Sequence, residues 1–255
     1  MIKGILFDKD GTLLKFDVLW VEATRQVLPR FLQACGVEYN NFLLESLMTV
    51  LGIAKNEIAA DGALAWMSYW EMAEVLKEAL CRKGFSIKKQ CNGSLLESLY
   101  REEVLAEHAR IEPVTELVPL FQWLKSQGII VGIATADTWE ITTHCLKILG
   151  IAAYFSYIGT SSETVRPKPC TDLFDTFCAG YDLLHAEVAI VGDTPADMQF
   201  ARNCGAMAIG VLSGTAKKAD LEQKVDFLLK DVSEIQTYWN CMNSFSEKSG
   251  RDKEK

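Results

Sequence analysis

From about residue 110 the chain alternates amphipathic stretches with short apolar runs. Residues 114–126 place their apolar positions at helical spacing, and Gly128 stops the pattern. Residues 129–134 are continuously apolar and predict a buried strand. A helix is predicted over 139–149, stopped by Gly150, and a short strand over 154–158. A helix over 172–180, a strand over 187–191, a helix ending at Asn203, a strand over 206–211 and a weaker strand over 227–229 complete the series. Ahead of them all, residues 2–7 form one more apolar run. Strands that alternate with helices imply right-handed βαβ crossovers and a parallel sheet covered on both faces. The expected fold class is therefore α/β, a doubly wound parallel sheet with a Rossmann-like core.

Between the first run and residue 110 the pattern is helical and strand signals are scarce. Trp20, Thr24, Val27, Leu28 and Phe31 mark a stripe that ends near Gly36. Further helices are predicted over 42–51 and 63–80, the latter with Trp66 and Trp70 one turn apart on one face. Cys91-Asn92-Gly93 reads as a turn, with Ser94 as cap of a fourth helix running to about His108. The expected organisation is a core of residues 1–14 and 110–243, an inserted all-helical cap at 15–109, and a polar, disordered tail at 244–255.

Composition narrows the partners. The 255 residues carry a net charge of −8, which argues against nucleic acid held by bulk electrostatics. No run is long enough to span a bilayer, and the chain enters its first strand without a basic, apolar leader. The eight cysteines show no C-x-x-C spacing and read as reduced, structural thiols. Together these point to a cytoplasmic protein without membrane or nucleic-acid partners, and they leave open whether it is a monomer or a homodimer.

The candidate chemistry sits at the strand ends, where open parallel sheets bind ligands. Asp8 and Asp10 follow the first strand, and Gly11 permits a sharp turn there. Thr135 follows the 129–134 run, Lys168 lies in the stiff loop Arg166-Pro167-Lys168-Pro169, and Asp193 and Asp197 follow the 187–191 strand. Several aspartates in one crevice need a cation, and hard oxygen donors point to Mg²⁺. One carboxylate can serve as nucleophile and another as general acid and base. Thr135 and the amides of Ala136 and Asp137 can hold phosphate oxygens at a helix start. Trp20, just past the first junction, is a candidate for the pocket that reads the leaving group. Arg166 is open to two readings, substrate contact or pairing with an acidic neighbour. Lys9 reads as a solvated or loop-stabilising side chain.

Asp8-Lys9-Asp10-Gly11-Thr12, Thr135, Lys168 and Gly192-Asp193-x-x-x-Asp197 match, in order, the four motifs of the haloacid dehalogenase-like superfamily, which the chain resembles. The resemblance implies that Asp8 forms an aspartyl-phosphate and Asp10 is the acid and base. It implies that Thr135 and Lys168 bind the phosphoryl group. It further implies Mg²⁺ held by Asp8, Asp193 and the backbone carbonyl of Asp10, with Asp197 in support. Asp10 and the helical insert look like the phosphatases related to phosphoglycolate phosphatase. Ala136 stands where many relatives have asparagine, so only a backbone contact is expected from it. The expected function is Mg²⁺-dependent hydrolysis of a small phosphorylated metabolite, with phosphoglycolate the first candidate. A sugar phosphomutase and an inactive binding protein on the same scaffold are the alternatives.

Overall fold

The computed structural model describes residues 1–54, 57–87, 90–160 and 165–252, and their side chains except those of 57 and 247–252. The chain divides into two compact units, Met1–Lys15 with Ile111–Lys255, and Phe16–Arg110.

In the first unit the opening apolar run forms strand β1 (Gly4–Phe7), buried along its whole length. The second unit interrupts the chain there with α1 (Glu22–Cys35), α2 (Asn41–Val50), β2 (Ile53–Ala54), β3 (Glu57–Ile58), α3 (Ala63–Trp66), α4 (Tyr69–Arg82) and α5 (Gly93–Val104). The first unit resumes with α6 (Leu117–Ser126), β4 (Ile130–Thr135), α7 (Trp139–Ile148), β5 (Tyr157–Thr160), α8 (Asp172–Tyr181) and β6 (Val188–Gly192). It closes with α9 (Pro195–Cys204), β7 (Met207–Val211), α10 (Lys218–Leu221), β8 (Phe227–Leu229) and α11 (Glu234–Asp252). The sheet order is β5-β4-β1-β6-β7-β8, parallel throughout. β1 is central, with Phe7 in register with Ile133 on one side and Val191 on the other. The loops after β1, β4 and β6 therefore leave the sheet side by side. Ile5, Phe7, Ile133, Val191 and Ile209 pack with Leu120 and Phe121 of α6 in one buried cluster. Each such side chain stabilises the fold by roughly 1.5–3 kcal/mol relative to exposure.

The chain leaves this unit and returns to it at one point. Val114 N donates to Leu13 O, Lys15 N donates to Glu112 O, and Leu14 pairs with Pro113 in an antiparallel bridge. The expected tail is in fact helical. α11 continues through Ser244 to Asp252, because Trp239 and Met242 pack on the core and Ser246 Oγ donates to Ala186 O. Residues 253–255 lie outside the described residues.

The second unit starts with a π-helical turn at Asp17–Val21 that leads into α1. β2 and β3 form a short antiparallel ladder, so this unit is not helical throughout. Residues 63–80 are two helices, not one. Met67 is extended, and Ser68 starts α4 with a capping box in which its hydroxyl accepts from Glu71 N and Glu71 accepts from Ser68 N. Trp66 and Trp70 consequently lie on separate helices, and both are exposed. The cap of α5 is Asn92, whose side chain accepts from Leu95 N, rather than Ser94, and the helix stops at Val104. Cys35 and Cys91 form a disulfide with their Cα atoms 5.6 Å apart, so two of the eight cysteines are not reduced thiols. Among the described residues no helix is long and apolar enough to cross a membrane.

Candidate active site

The turn after β1 depends on Gly11, whose φ of +83° is strained for any other residue. Leu13 N and Leu14 N donate to Lys9 O, and Gly11 N donates to Leu14 O. This tight loop holds Asp8 and Asp10 at the strand end. Lys168 reaches the same place from the loop before α8. Its ammonium donates to Asp8 Oδ1 and to Asp197 Oδ1, each at 2.6 Å. Arg166 does not join it. Its guanidinium grips Asp172 at the start of α8 and remains largely exposed, which decides between its two readings in favour of the acidic neighbour.

Asp193 follows β6 and is fully buried. Its Oδ1 accepts from Thr12 Oγ1 at 3.3 Å, and its Oδ2 accepts from Thr215 N at 2.8 Å and Thr215 Oγ1 at 3.2 Å. Asp197 sits in the first turn of α9, where its Oδ2 accepts from Thr194 N and Thr194 Oγ1 in a capping box. Asp8, Asp193 and Asp197 each offer an oxygen, all within 4.8 Å of one another. Three carboxylates thus face the one ammonium of Lys168. Burial above all, with Asp197 and Asp10 adding to it against the pull of Lys168, pushes the Asp8 carboxyl up to about 7. Burial, Asp8 and Asp197 push Asp193 well above the usual carboxylate range. Burial opposes the charge of Lys168, but Asp197 and Asp8 outweigh it and raise its pKa. The group is short of positive charge, and its donors are all oxygen. It fits a hard divalent cation. Asp197 shares its Oδ1 with the Lys168 ammonium, the same ammonium that binds Asp8.

Thr135 ends β4, beside β1, and its buried hydroxyl accepts from Asp137 N at 3.2 Å. Ala136 stands between them, partly exposed, so its amide is the group it can offer. Trp20 belongs to the other unit, where it is buried with its ring 5.8 Å from that of Tyr100. Of its two readings, Lys9 takes the loop-stabilising one and not the solvated one. It is 0% exposed, with its ammonium 2.7 Å from Asp10 Oδ1 and 3.0 Å from Asp137 Oδ2. Sequence reasoning also missed Thr12, Gly214 and Thr215. A signal for the last two was present, since Ser213-Gly214-Thr215 follows an apolar strand as the other polar clusters do.

This arrangement has counterparts. A model of the haloacid dehalogenase-like hydrolases matches residues 2–205. Pyrophosphatase PpaX of Bacillus anthracis is 24% identical over 244 residues, covering 95% of this chain and 98% of its own. Glyceraldehyde 3-phosphate phosphatase of Methanocaldococcus jannaschii is 24% identical over 240 residues, covering 92% and 96%. Among solved structures, a predicted phosphoglycolate phosphatase from Haemophilus somnus superposes with a TM-score of 0.68 at 18% identity, over 92% of this chain and 97% of that one. A β-phosphoglucomutase from Clostridium difficile gives 0.65 at 16% identity, over 96% and 99%. A match across four-fifths of the chain, on a parallel sheet with carboxylates gathered at its strand ends, makes this protein a member of the haloacid dehalogenase-like hydrolase family.

Proposed function

We propose that the protein is a Mg²⁺-dependent phosphatase that hydrolyses a small phosphomonoester through an aspartyl-phosphate. The observation that carries this reading is the Lys168 ammonium bonded to both Asp8 and Asp197, with Asp193 drawn into the same cluster. Mg²⁺, held by Asp8, Asp193 and the Asp10 carbonyl, would shield the carboxylates and polarise a phosphoryl oxygen. Asp8 attacks phosphorus as the bond to the leaving oxygen breaks, and Asp10 gives that oxygen its proton. Asp10 then takes a proton from water, which displaces phosphate from Asp8. Lys168 and Thr135, with the Ala136 amide, bind the phosphoryl oxygens. Asp197 keeps Lys168 in place.

The cluster on the first unit has chemistry for the phosphoryl group alone, so it does not select the leaving group. Phosphoglycolate is the first candidate, and the names of relatives add glyceraldehyde 3-phosphate and pyrophosphate. We place the protein in the cytoplasm, where six of its cysteines stay free and the Cys35–Cys91 pair is the exception. The test is phosphate release from these three compounds and from a sugar phosphate, with and without Mg²⁺. Asp8→Asn should abolish turnover, because an amide cannot attack phosphorus and uncatalysed monoester hydrolysis is slower by up to ~10²¹-fold. Near-normal activity in folded Asp8→Asn rejects the mechanism, and an isomerised sugar phosphate in place of free phosphate makes the protein a mutase.

A further inference from the structure

We propose that Lys9 and Asp137 are positioning residues for Asp10, a buried ion pair that fixes the orientation of its carboxylate. The proposal rests on the reading of Asp10 as the group that exchanges protons with the leaving oxygen and with water.

Lysine is rarely buried completely, because stripping water from an ammonium costs several kcal/mol unless carboxylates compensate. Here the compensation comes from two strand ends. Asp10 follows β1 and meets Lys9 Nζ through Oδ1 at 2.7 Å, and Asp137 follows β4 and meets it through Oδ2 at 3.0 Å. Asp137 is itself anchored. Its Oδ1 accepts from Thr138 N at 2.7 Å, and its own N donates to Thr135 Oγ1 at 3.2 Å. Thr138 also caps α7, accepting from Ile141 N through its hydroxyl. A path of hydrogen bonds and ion pairs thus runs from the start of α7 through Asp137 and Lys9 to Oδ1 of Asp10.

Packed apolar side chains in place of both Lys9 and Asp137 would fill the space, a replacement that is often neutral or stabilising, whereas removing one partner alone leaves a buried charge unpaired. The ion pair supplies something packing cannot. It holds one carboxylate oxygen at a set point, and with it the plane of the carboxylate. Proton transfer to a leaving oxygen needs the donor within hydrogen-bond reach, and a misplacement of about 1 Å can cost ~10²-fold.

The experiment compares kcat/KM on aryl phosphates, whose leaving groups depart without protonation, and on alkyl phosphates, whose leaving groups need it. Lys9→Met, Asp137→Asn and Asp10→Asn are measured in the full chain with Mg²⁺, and thermal melting checks the fold. The expected result is a graded loss in all three. Lys9→Met and Asp137→Asn should fall roughly 10–100-fold on alkyl esters and less than about threefold on aryl esters. Asp137→Asn is nearly isosteric and leaves the Lys9–Asp10 contact in place, so it carries the test by the same criterion if Lys9→Met does not fold. A uniform loss on both ester classes in these two variants, or full activity in both, overturns the proposal while a graded Asp10→Asn leaves the acid–base reading standing. A uniform loss in Asp10→Asn rejects that reading and the positioning role with it.

Discussion

At the scale of single residues, the site leaves little room around Asp193. A Cβ on Gly214 would lie 1.9 Å from Asp193 Oδ2, and one on Gly11 would lie 2.5 Å from the same atom. Gly214→Ala must push that carboxylate away from Thr215. The expected outcome is a loss of stability of about 1–3 kcal/mol and a fall in turnover of ~10²-fold or more. Phosphate release and urea denaturation of the variant measure the two effects, and wild-type turnover would show that the orientation of Asp193 is not required. The gathering of Asp8, Lys168, Asp193 and Asp197 was legible because Asp8 and Asp193 directly follow β1 and β6, Asp197 lies in the next helix turn, and Lys168 stands in a Pro-rich loop. Thr215 and Asp137 were not legible, because their importance lies in partners that only the folded sheet brings near, Asp193 and Lys9. The burial of Lys9 was not legible for the same reason. A lysine looks solvated until two strand ends supply its counterions.

At the scale of elements, the alternation of apolar runs and amphipathic stretches located β1, β4–β8 and α6–α9 to within a few residues, but missed α10 and α11. The boundary errors arose where capping chemistry overrode apolar periodicity. Ser68 and Glu71 start a new helix inside what periodicity reads as one, and Asn92 outcompetes Ser94 for α5. The stripe from Trp20 to Phe31 was legible as a buried face, but its purpose was not. Trp20, Tyr100 and Tyr69 form a run of tilted rings, and Thr24 Oγ1 bonds both Trp20 O and the Tyr100 hydroxyl. Removing so large a buried ring should leave a cavity. Trp20→Ala is expected to cost the second unit about 3–5 kcal/mol, read by chemical denaturation, and to lower all substrates alike. Unchanged stability with a reordered substrate panel would return Trp20 to a pocket role.

At the scale of the whole molecule, the buried carboxylates tie stability to pH. The ordinary carboxyl value for Asp8 is 3.8, and in the fold it titrates at about 7. Between those values the folded state holds more protons than the unfolded one, so stability falls as pH rises through the window, and the penalty is complete above it. Asp193 shifts in the same direction. A divalent cation would replace the missing positive charge. Mg²⁺ is therefore expected to raise Tm clearly at about pH 8 and little at about pH 5, each kcal/mol being worth roughly 2–4 °C. Thermal melting at both pH values, with Mg²⁺ and with chelator, checks this, and an equal gain at both would contradict it. Asp193→Asn should erase most of the gain. The point where the chain leaves the first unit has a different consequence. Leu13, Leu14 and Lys15 are stitched to Glu112, Pro113 and Val114, so the outgoing and incoming segments are tied together at the base of the insert. An insert anchored this way can change in length or sequence without loosening the seam that closes the first unit, much as a loop of thread can be swapped while its knot stays tied.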